Sequence, residues 1–262
     1  MTKDDSRPLD DDPLATQADI PAAVGLLTRL PIRVDTDAAV KRGARSAWAW
    51  PLVGVIPAGL GALVGFAALG LGLPALWAAV AVLVAQVMIT GAMHEDGLAD
   101  TADGLWGGIT QTRRLEIMKD SRIGAYGVIA LALSLGLRAS ALAVILPSEG
   151  AFWALLVVGI VSRMPMVALM FALPNARDTG LSQSVGRVPQ NTLTLAMGCT
   201  LLAALILTPY ALVALFIWVG LSMVILAIIA RQKIGGQTGD ILGASQQVAE
   251  ISALAVFATL LT

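Results

Sequence analysis

Three aspartates at helical spacing form the densest group of ionisable side chains in this sequence. Residues 94–108 read HEDGLADTADGLWGG, and in a helix Asp96, Asp100 and Asp103 share one face at i, i+4 and i+7. Carboxylates this close repel one another, so a cation is expected between them. Mg²⁺ takes one or two carboxylates, keeps several waters and bridges to phosphate oxygens, which makes it the preferred ion. The alternative interpretation is an acidic, solvated loop at a membrane surface.

Two further segments combine charge with glycine, a composition that suits phosphate binding. Residues 119–127 read KDSRIGAYG, in which Lys119 and Arg122 can share a face and donate charge-assisted hydrogen bonds. Basic residues also flank membrane spans for topological reasons, so this segment alone is weak evidence. Residues 235–250 read GGQTGDILGASQQVAE and place Asp240 in a glycine-rich stretch.

Four other ionisable residues are candidates because of where they lie. Arg138, Arg163 and Glu250 fall inside apolar stretches, where an arginine facing lipid costs about 2.5–3.5 kcal/mol. They are expected to point inward, either into a functional site or into pairs with opposite charges. His94 is the single histidine and lies on the opposite helical side from the aspartates. It could act as a general base, donate to phosphate, or be an interfacial residue.

The elements that must position these residues are membrane helices. Hydrophobic residues make up 57% of the 262-residue chain and charged residues 13%, against about 25% charged in soluble domains. No charged residue occurs in 47–93 or 193–230. As a single helix, 193–230 would be roughly 57 Å long, more than a bilayer requires. The chain is therefore predicted to turn within this segment, at Pro209. Seven spans are predicted, at about 47–70, 74–93, 126–146, 151–173, 193–208, 210–230 and 246–262. The fold class is therefore all-α, a polytopic integral membrane protein, with 20–33 as an N-terminal interfacial helix.

Basic residues predict the orientation of these spans. Of 17 Lys and Arg, seven precede the first span, four lie in 94–125, two in 174–192 and two in 231–247, with none in the opposing connections. The positive-inside rule places these segments in the cytoplasm. The acidic stretch 1–19 is predicted to be a disordered tail, and 20–262 a single transmembrane catalytic domain.

Three motifs in this order resemble a known family, the adenosylcobinamide-GDP ribazoletransferases, also called cobalamin synthases. They are HEDGLADTADG at 94–104, KDSRIGAYG at 119–127 and GGQTGDILGA at 235–244. The resemblance extends over the membrane part of the chain, from about residue 20. It implies Mg²⁺-dependent transfer of the adenosylcobinamide phosphoryl group from adenosylcobinamide-GDP to α-ribazole, or to its 5′-phosphate, with release of GMP. It also implies a multi-pass location in the bacterial cytoplasmic (inner) membrane, with the active site facing the cytoplasm.

The resemblance and the residue chemistry together give the expected site. The metal ligands would be Asp96, Asp100 and Asp103. The catalytic residues would be His94, Lys119, Asp120, Arg122 and Asp240. The substrate-binding residues would be Ser121, Gly124, Thr238, Gly239, Arg163 and Glu250. No nucleic-acid partner is expected at a net charge of −1, while a homo-oligomer or contacts with other enzymes of nucleotide-loop assembly are left open.

Two other functions compete with this interpretation. A CDP-alcohol phosphotransferase also uses clustered aspartates, but its pattern has an Ala-Arg pair after the first Asp-Gly and spaces its last two aspartates by four. Here Ala99 is followed by Asp100, and Asp103 lies three residues further on. A transporter would line its path with Arg138, Arg163 and Glu250, yet the densest polar clusters lie in the segments predicted to be cytoplasmic.

Overall fold

The structure, a computed structural model, describes residues 13–261 of the protein and is helical. Within these residues the only extended pairing is one isolated parallel bridge between Asn175 and Gln237. The α-helices are α1 (Asp19–Leu27), α2 (Thr36–Arg42), α3 (Trp50–Val53), α4 (Val55–Gly70), α5 (Ala75–Thr90), α6 (Met93–Gly107), α7 (Gln111–Ile117), α8 (Ala125–Ile145), α9 (Ala151–Val161), α10 (Met164–Ala172), α11 (Leu181–Val185), α12 (Gln190–Leu207), α13 (Leu212–Ile234) and α14 (Gly239–Leu260). Short 3₁₀ helices occupy Gly43–Ala49 and Pro209–Ala211.

Six helical stretches within residues 13–261 are long and apolar enough to cross a membrane. They are Thr36–Gly70, Ala125–Ile145, Ala151–Ala172, Gln190–Leu207, Pro209–Ile234 and Gly239–Leu260. Helices α5 and α6 together are also long and apolar enough, although the chain bends by 91° between them. Counting this pair as one span gives seven candidate spans. The prediction of a helical, polytopic membrane protein is confirmed. The predicted turn at Pro209 is also found, since α12 ends at Leu207 and a 3₁₀ helix begins at the proline.

Several helix boundaries differ from the prediction: the helix predicted at 20–33 ends at Leu27, and the span predicted at 210–230 extends to Ile234. Two further differences have a local cause. The predicted span 74–93 ends at Thr90, because Gly91 and Ala92 adopt left-handed backbone conformations, with φ of 66° and 58°, and turn the chain into α6. The last helix begins at Gly239 and not near 246, because the Thr238 side chain accepts the Ile241 N–H and caps it.

The most buried helices lie at the centre of the bundle. In α14 and in the stretch α9–α10, 72% and 83% of an apolar 18-residue segment is buried, against 22% for α8 and 17% for the stretch that contains α13. Helix α14 contacts α6, α8, α9, α10 and α13. It therefore connects the acidic helix α6 to the core.

Connections gather at two ends of the bundle in the way the charge distribution predicts. At one end Gln111 donates to the Ile234 carbonyl and Arg114 to that of Lys233, while the bridge between Asn175 and Gln237 joins two further loops. At the other end, the hydroxyl of Ser148 donates to the Leu261 carbonyl. The sequence segments grouped by positive charge thus lie together.

The start of the folded part lies within the predicted tail. Residues 1–12 fall outside the described part of the chain, so the tail prediction is not addressed there. Asp19 begins α1 and is fully buried, and both Arg42 and the Trp48 indole donate to its carboxylate at 2.8 Å. Burial raises the pKa of Asp19, but the hydrogen bonds from Arg42 and Trp48 outweigh it and hold the pKa below its ordinary value. Asp19 belongs to the helical domain.

Candidate functional site

A pocket of about 270 Å³ opens where α6, α14 and the loop before α11 meet. Asp96 and His94 line it from α6, Thr238, Gly239 and Asp240 from the start of α14, and Arg177 from the loop. The first and third sequence motifs, separated by more than a hundred residues in the chain, thus meet at one pocket.

Glycines allow α6 and α14 to approach closely enough to bring the carboxylates together. A Cβ atom on Gly97 would lie 2.8 Å from the Asp240 carbonyl oxygen and 3.1 Å from the Gly243 Cα. Any larger side chain would push the helices apart and separate Asp96 from Asp240.

The carboxylates at this contact share a single nearby arginine. Asp96, Asp100 and Asp240 interact electrostatically with one another, and Asp100 and Asp240 also interact with Arg177. The Asp240 carboxylate accepts from Arg177 at 3.1 Å and from the Thr238 hydroxyl at 3.2 Å. Asp96 is exposed and Asp100 is half-buried, so carboxylate oxygens remain open to a ligand.

The predicted third metal ligand, Asp103, has a different environment. Its two carboxylate oxygens accept the backbone N–H groups of Gly124 at 2.7 Å and Gly127 at 2.9 Å. The carboxylate therefore caps the start of α8 and lies favourably near the positive end of that helix. A Cβ at either glycine would overlap the Asp103 oxygens. Gly124, predicted to bind substrate, thus contributes its N–H to this cap.

The carboxylates at the pocket suit a metal that takes only part of its shell from protein. Within residues 13–261, no group of three or more His, Cys, Asp or Glu side chains is arranged to hold a metal ion alone. Mg²⁺ commonly keeps waters and completes its shell with substrate phosphates. Asp96 and Asp240 line the pocket with Asp100 nearby, and one or two of these carboxylates could supply such a partial shell, whereas Asp103 is already engaged by two amides.

The second motif lies beside the pocket and not in it. Lys119 is exposed and donates at 3.4 Å to Thr179, which lines the pocket rim. Arg122 and Asp120 form an exposed ion pair at 2.6 Å, and the hydrogen bonds from Arg122 lower the pKa of Asp120 to about 2. Exposed pairs of this kind contribute little to stability. Asp120, Ser121 and Arg122 do not line the pocket.

The predicted residues Arg163 and Glu250 lie deeper in the bundle. Glu250 accepts from Arg138 at 2.9 Å, and Glu95 accepts from the same guanidinium at 2.8 Å, so Arg138 is paired with carboxylates. Arg163 donates to the Gly159 carbonyl at 2.9 Å. These residues border a second cavity of about 20 Å³, which does not include the carboxylate pocket's aspartates.

His94 lies between the two cavities and lines both. Its side chain is 2% exposed, and its Nε2 atom has no hydrogen-bond partner among residues 13–261. Two atoms of residues that line the second cavity, Glu95 Oε2 and Arg163 Nε, likewise have no hydrogen-bond partner among residues 13–261. A cavity of this volume accommodates about one water, which polar groups of this kind would bind.

The loop before α11 supplies candidate site residues that were not predicted from the sequence. Arg177 is the cation of the pocket, and its second amino group donates to the Leu115 carbonyl. Asn175, Ser182 and Gln237 hydrogen-bond to one another beneath it. The available signal was the sequence PNARDTG at 174–180, which follows an apolar span and combines charge with glycine as the recognised motifs do.

Comparisons with known proteins agree with the sequence motifs. The family model described as cobalamin-5-phosphate synthase matches residues 19–258. A protein of Bradyrhizobium diazoefficiens named adenosylcobinamide-GDP ribazoletransferase is 46% identical over 242 residues, covering 92% of this chain and 93% of the relative. Relatives of the same name from Brucella canis and Mesorhizobium japonicum are 43% and 40% identical, covering 88% and 91% of this chain and 93% and 92% of their own. No solved structure matches the chain.

Proposed function

Because the chain belongs to the cobalamin-5-phosphate synthase family and is a transferase, we propose that it acts on adenosylcobinamide-GDP. The acceptor is α-ribazole or its 5′-phosphate, and the products are adenosylcobalamin, or its 5′-phosphate, and GMP. The observation that carries this proposal is the pocket in which the aspartates of α6 and α14 meet Arg177. Phosphoryl transfer depends mainly on positioning and on neutralising phosphate charge, and these residue types supply both.

The proposed reaction makes one bond to phosphorus and breaks another. A hydroxyl oxygen of the ribazole attacks the phosphorus that is linked to cobinamide, and the bond from that phosphorus to the bridging pyrophosphate oxygen breaks. GMP leaves with the bonding electrons, and the hydroxyl proton passes to a base. His94 is the one histidine that lines the pocket, so it is the side chain we assign to that role.

Charge neutralisation falls to the residues around the carboxylates. One or two of the carboxylates of Asp96, Asp100 and Asp240 would hold Mg²⁺, which when bound offsets the negative charge of the pyrophosphate oxygens. Arg177 lines the same pocket and would bind a phosphate oxygen directly. Lys119 at the rim would add positive charge where the donor enters.

The site is proposed to face the cytoplasm from the bacterial inner membrane. The loops that form the pocket belong to the segments rich in Lys and Arg, and the opposing connections contain none. GMP and α-ribazole are polar molecules, so a pocket opening on the aqueous side of the bilayer agrees with the proposed chemistry.

A reconstituted assay tests the proposal. Protein purified in detergent is incubated with adenosylcobinamide-GDP, α-ribazole and MgCl₂, and GMP and the cobamide product are measured together. Both are expected in equal amounts and only when Mg²⁺ is present. Asp96→Asn should reduce turnover by roughly a hundredfold, as expected when a charge-assisted contact in the site is lost. Glu116→Gln, an exposed carboxylate at the same end of the bundle, is the matched control. Absence of GMP from the wild-type protein would reject this substrate assignment.

A further inference from the structure

The rotation of α6 about its own axis is not set by the helix that precedes it. Helices α5 and α6 meet at a bend of 91°, where Gly91 and Ala92 adopt left-handed conformations. A continuous helix would carry the orientation of α5 into α6, and this bend interrupts it. The directions of Asp96 and Asp100 around α6 must therefore be fixed by contacts with other helices.

Two side chains of α6 hydrogen-bond to neighbouring helices within residues 13–261, and they lie on either side of these aspartates in the sequence. Asp103 accepts backbone N–H groups at the start of α8. Glu95 Oε1 accepts from Arg138 of α8 at 2.8 Å and from Gln247 of α14 at 3.2 Å. At about 100° per residue, Glu95 and Asp103 project about 80° apart around α6. Contacts in two directions resist rotation better than either alone.

The guanidinium that binds Glu95 is itself held by several partners. It donates to Glu250 at 3.0 Å, to Gln247 at 3.0 Å and to Gln86 of α5 at 3.2 Å. The Arg138 side chain is 1% exposed, so it connects α5, α6, α8 and α14 inside the bundle. It cannot shift without breaking several hydrogen bonds, which gives Glu95 a fixed partner.

Stability alone does not account for this buried cluster. Burying charges is costly, and apolar side chains of similar volume often stabilise a fold equally well or better. The best-attested use of buried polar groups is to select one register between packed helices. A rotation of α6 by about 20° would move a side-chain atom about 5–6 Å from the axis by about 2 Å. A misplacement of about 1 Å can slow an enzyme about a hundredfold.

We propose that Glu95 is a positioning residue of the active site. Its hydrogen bonds to α8 and α14 fix the rotation of α6 and so hold Asp96 and Asp100 beside Asp240. This inference rests on the proposed function. Glu95 does not line the carboxylate pocket, so it acts through its neighbours on α6. Loss of its contacts should lower kcat more than it changes either KM, because the pocket keeps its side chains and only their relative placement changes.

Two adjacent glutamines of α14 provide a matched, charge-neutral test. Gln246 and Gln247 are each 1% exposed, but only Gln247 donates to Glu95, whereas Gln246 donates to Ser162 and Glu250. Gln247→Met should lower kcat roughly tenfold and leave the KM for adenosylcobinamide-GDP and for α-ribazole within about threefold. Gln246→Met also removes buried hydrogen bonds, yet it should keep kcat within about threefold of wild type.

A second pair of variants separates position from charge. Glu95→Gln loses the charge but keeps an acceptor oxygen at the same reach, so the thermal midpoint in detergent should fall while kcat stays within about threefold. The double variant Glu95→Met/Arg138→Met removes both charges of a pair, and Arg163 and Glu250, which attract each other, remain to balance. It should unfold near the wild-type midpoint, yet its kcat should fall roughly tenfold to hundredfold.

Initial rates of GMP release over a matrix of both substrates give kcat and KM, normalised to folded protein. Wild-type kcat in the folded double variant, or in Gln247→Met should the double variant not fold, would show that these contacts only support the fold. A loss in Glu95→Gln as large as in the double variant would instead assign a direct role to the Glu95 charge. Both outcomes overturn the inference while wild-type protein still forms GMP and cobamide, whereas absence of those products rejects the function itself.

Discussion

Replacement of Arg177 by alanine should move two kinetic quantities in opposite directions. The side chain is 14% exposed, donates to Asp240 at 3.1 Å and is the cation among Asp96, Asp100 and Asp240. If it also binds a phosphate oxygen of the donor, its loss removes a charge-assisted hydrogen bond worth about 1.5–3 kcal/mol. The KM for adenosylcobinamide-GDP should therefore rise roughly tenfold to hundredfold.

The requirement for Mg²⁺ should change in the other direction. Arg177 repels a cation bound by the carboxylates, and two unit charges 4 Å apart interact by about 4 kcal/mol at an effective dielectric constant of 20. Greater separation and salt reduce this figure, so the Mg²⁺ concentration for half-maximal rate should fall by roughly threefold to tenfold. A variant that merely disturbs the fold would not bind metal more tightly, which makes this pair of shifts specific.

The assay measures initial GMP release over a matrix of donor and MgCl₂ concentrations at constant ionic strength. Arg187→Ala is the control, because Arg187 is an exposed arginine just after α11 that donates to the Phe171 carbonyl and does not line the pocket. It should behave as wild type. Arg177→Ala with an unchanged donor KM and an unchanged Mg²⁺ requirement would refute the assignment of this residue.

Three further predictions concern Asp103, Arg138 and the membrane topology. Asp103→Asn should lower the thermal unfolding midpoint in detergent, because an amide has only one acceptor oxygen for the two N–H groups at the start of α8. The lost cap costs about 1 kcal/mol. A tenfold change in the Mg²⁺ concentration required for activity would instead indicate that Asp103 is a metal ligand. Arg138→Leu leaves the carboxylates of Glu95 and Glu250 buried without their cation and should destabilise the fold by about 3–5 kcal/mol. The variant should therefore unfold at a lower denaturant concentration. A denaturation midpoint equal to that of the wild type would contradict the pairing. In a Cys199→Ala background, single cysteines at Thr110 and Ser148 should react with an impermeant maleimide from opposite sides of sealed vesicles, and labelling from one side only would reject the topology.

Much of the fold could be predicted because its causes are local. Apolar length, positive charge and Pro209 each act within one segment, and they predict the spans and their connections. The bend after Thr90 was missed because it depends on Ala92 in a left-handed conformation, which composition does not indicate. The early start of α14 was missed because polar residues after Thr238 resemble a loop by composition, although they face buried neighbours inside the bundle.

The site was only partly predictable, since its geometry depends on contacts between distant segments. A helical projection groups Asp96, Asp100 and Asp103, but it does not show that α14 covers one end of that stripe and α8 the other. Close packing at Gly97 brings Asp96 and Asp100 near Asp240, while the Asp103 carboxylate accepts backbone N–H groups at the start of α8. Arg177 could not be distinguished from the other arginines of the segments predicted to be cytoplasmic until the loop was placed.

The buried cluster around Arg138 also constrains how the chain is made. Glu250 lies 112 residues further along the chain than Arg138, so α8 leaves the ribosome well before its partner helix exists. Until then the guanidinium has Glu95 and Gln86 but lacks Glu250 and Gln247. An incompletely paired arginine is costly in lipid, so α8 should stay beside α5 and α6, or beside the insertion machinery, until α14 arrives. The helix that delivers Asp240 to the pocket is thus also the helix that releases α8 into the bilayer, and an incomplete insertion intermediate would have no assembled site with which to consume substrate.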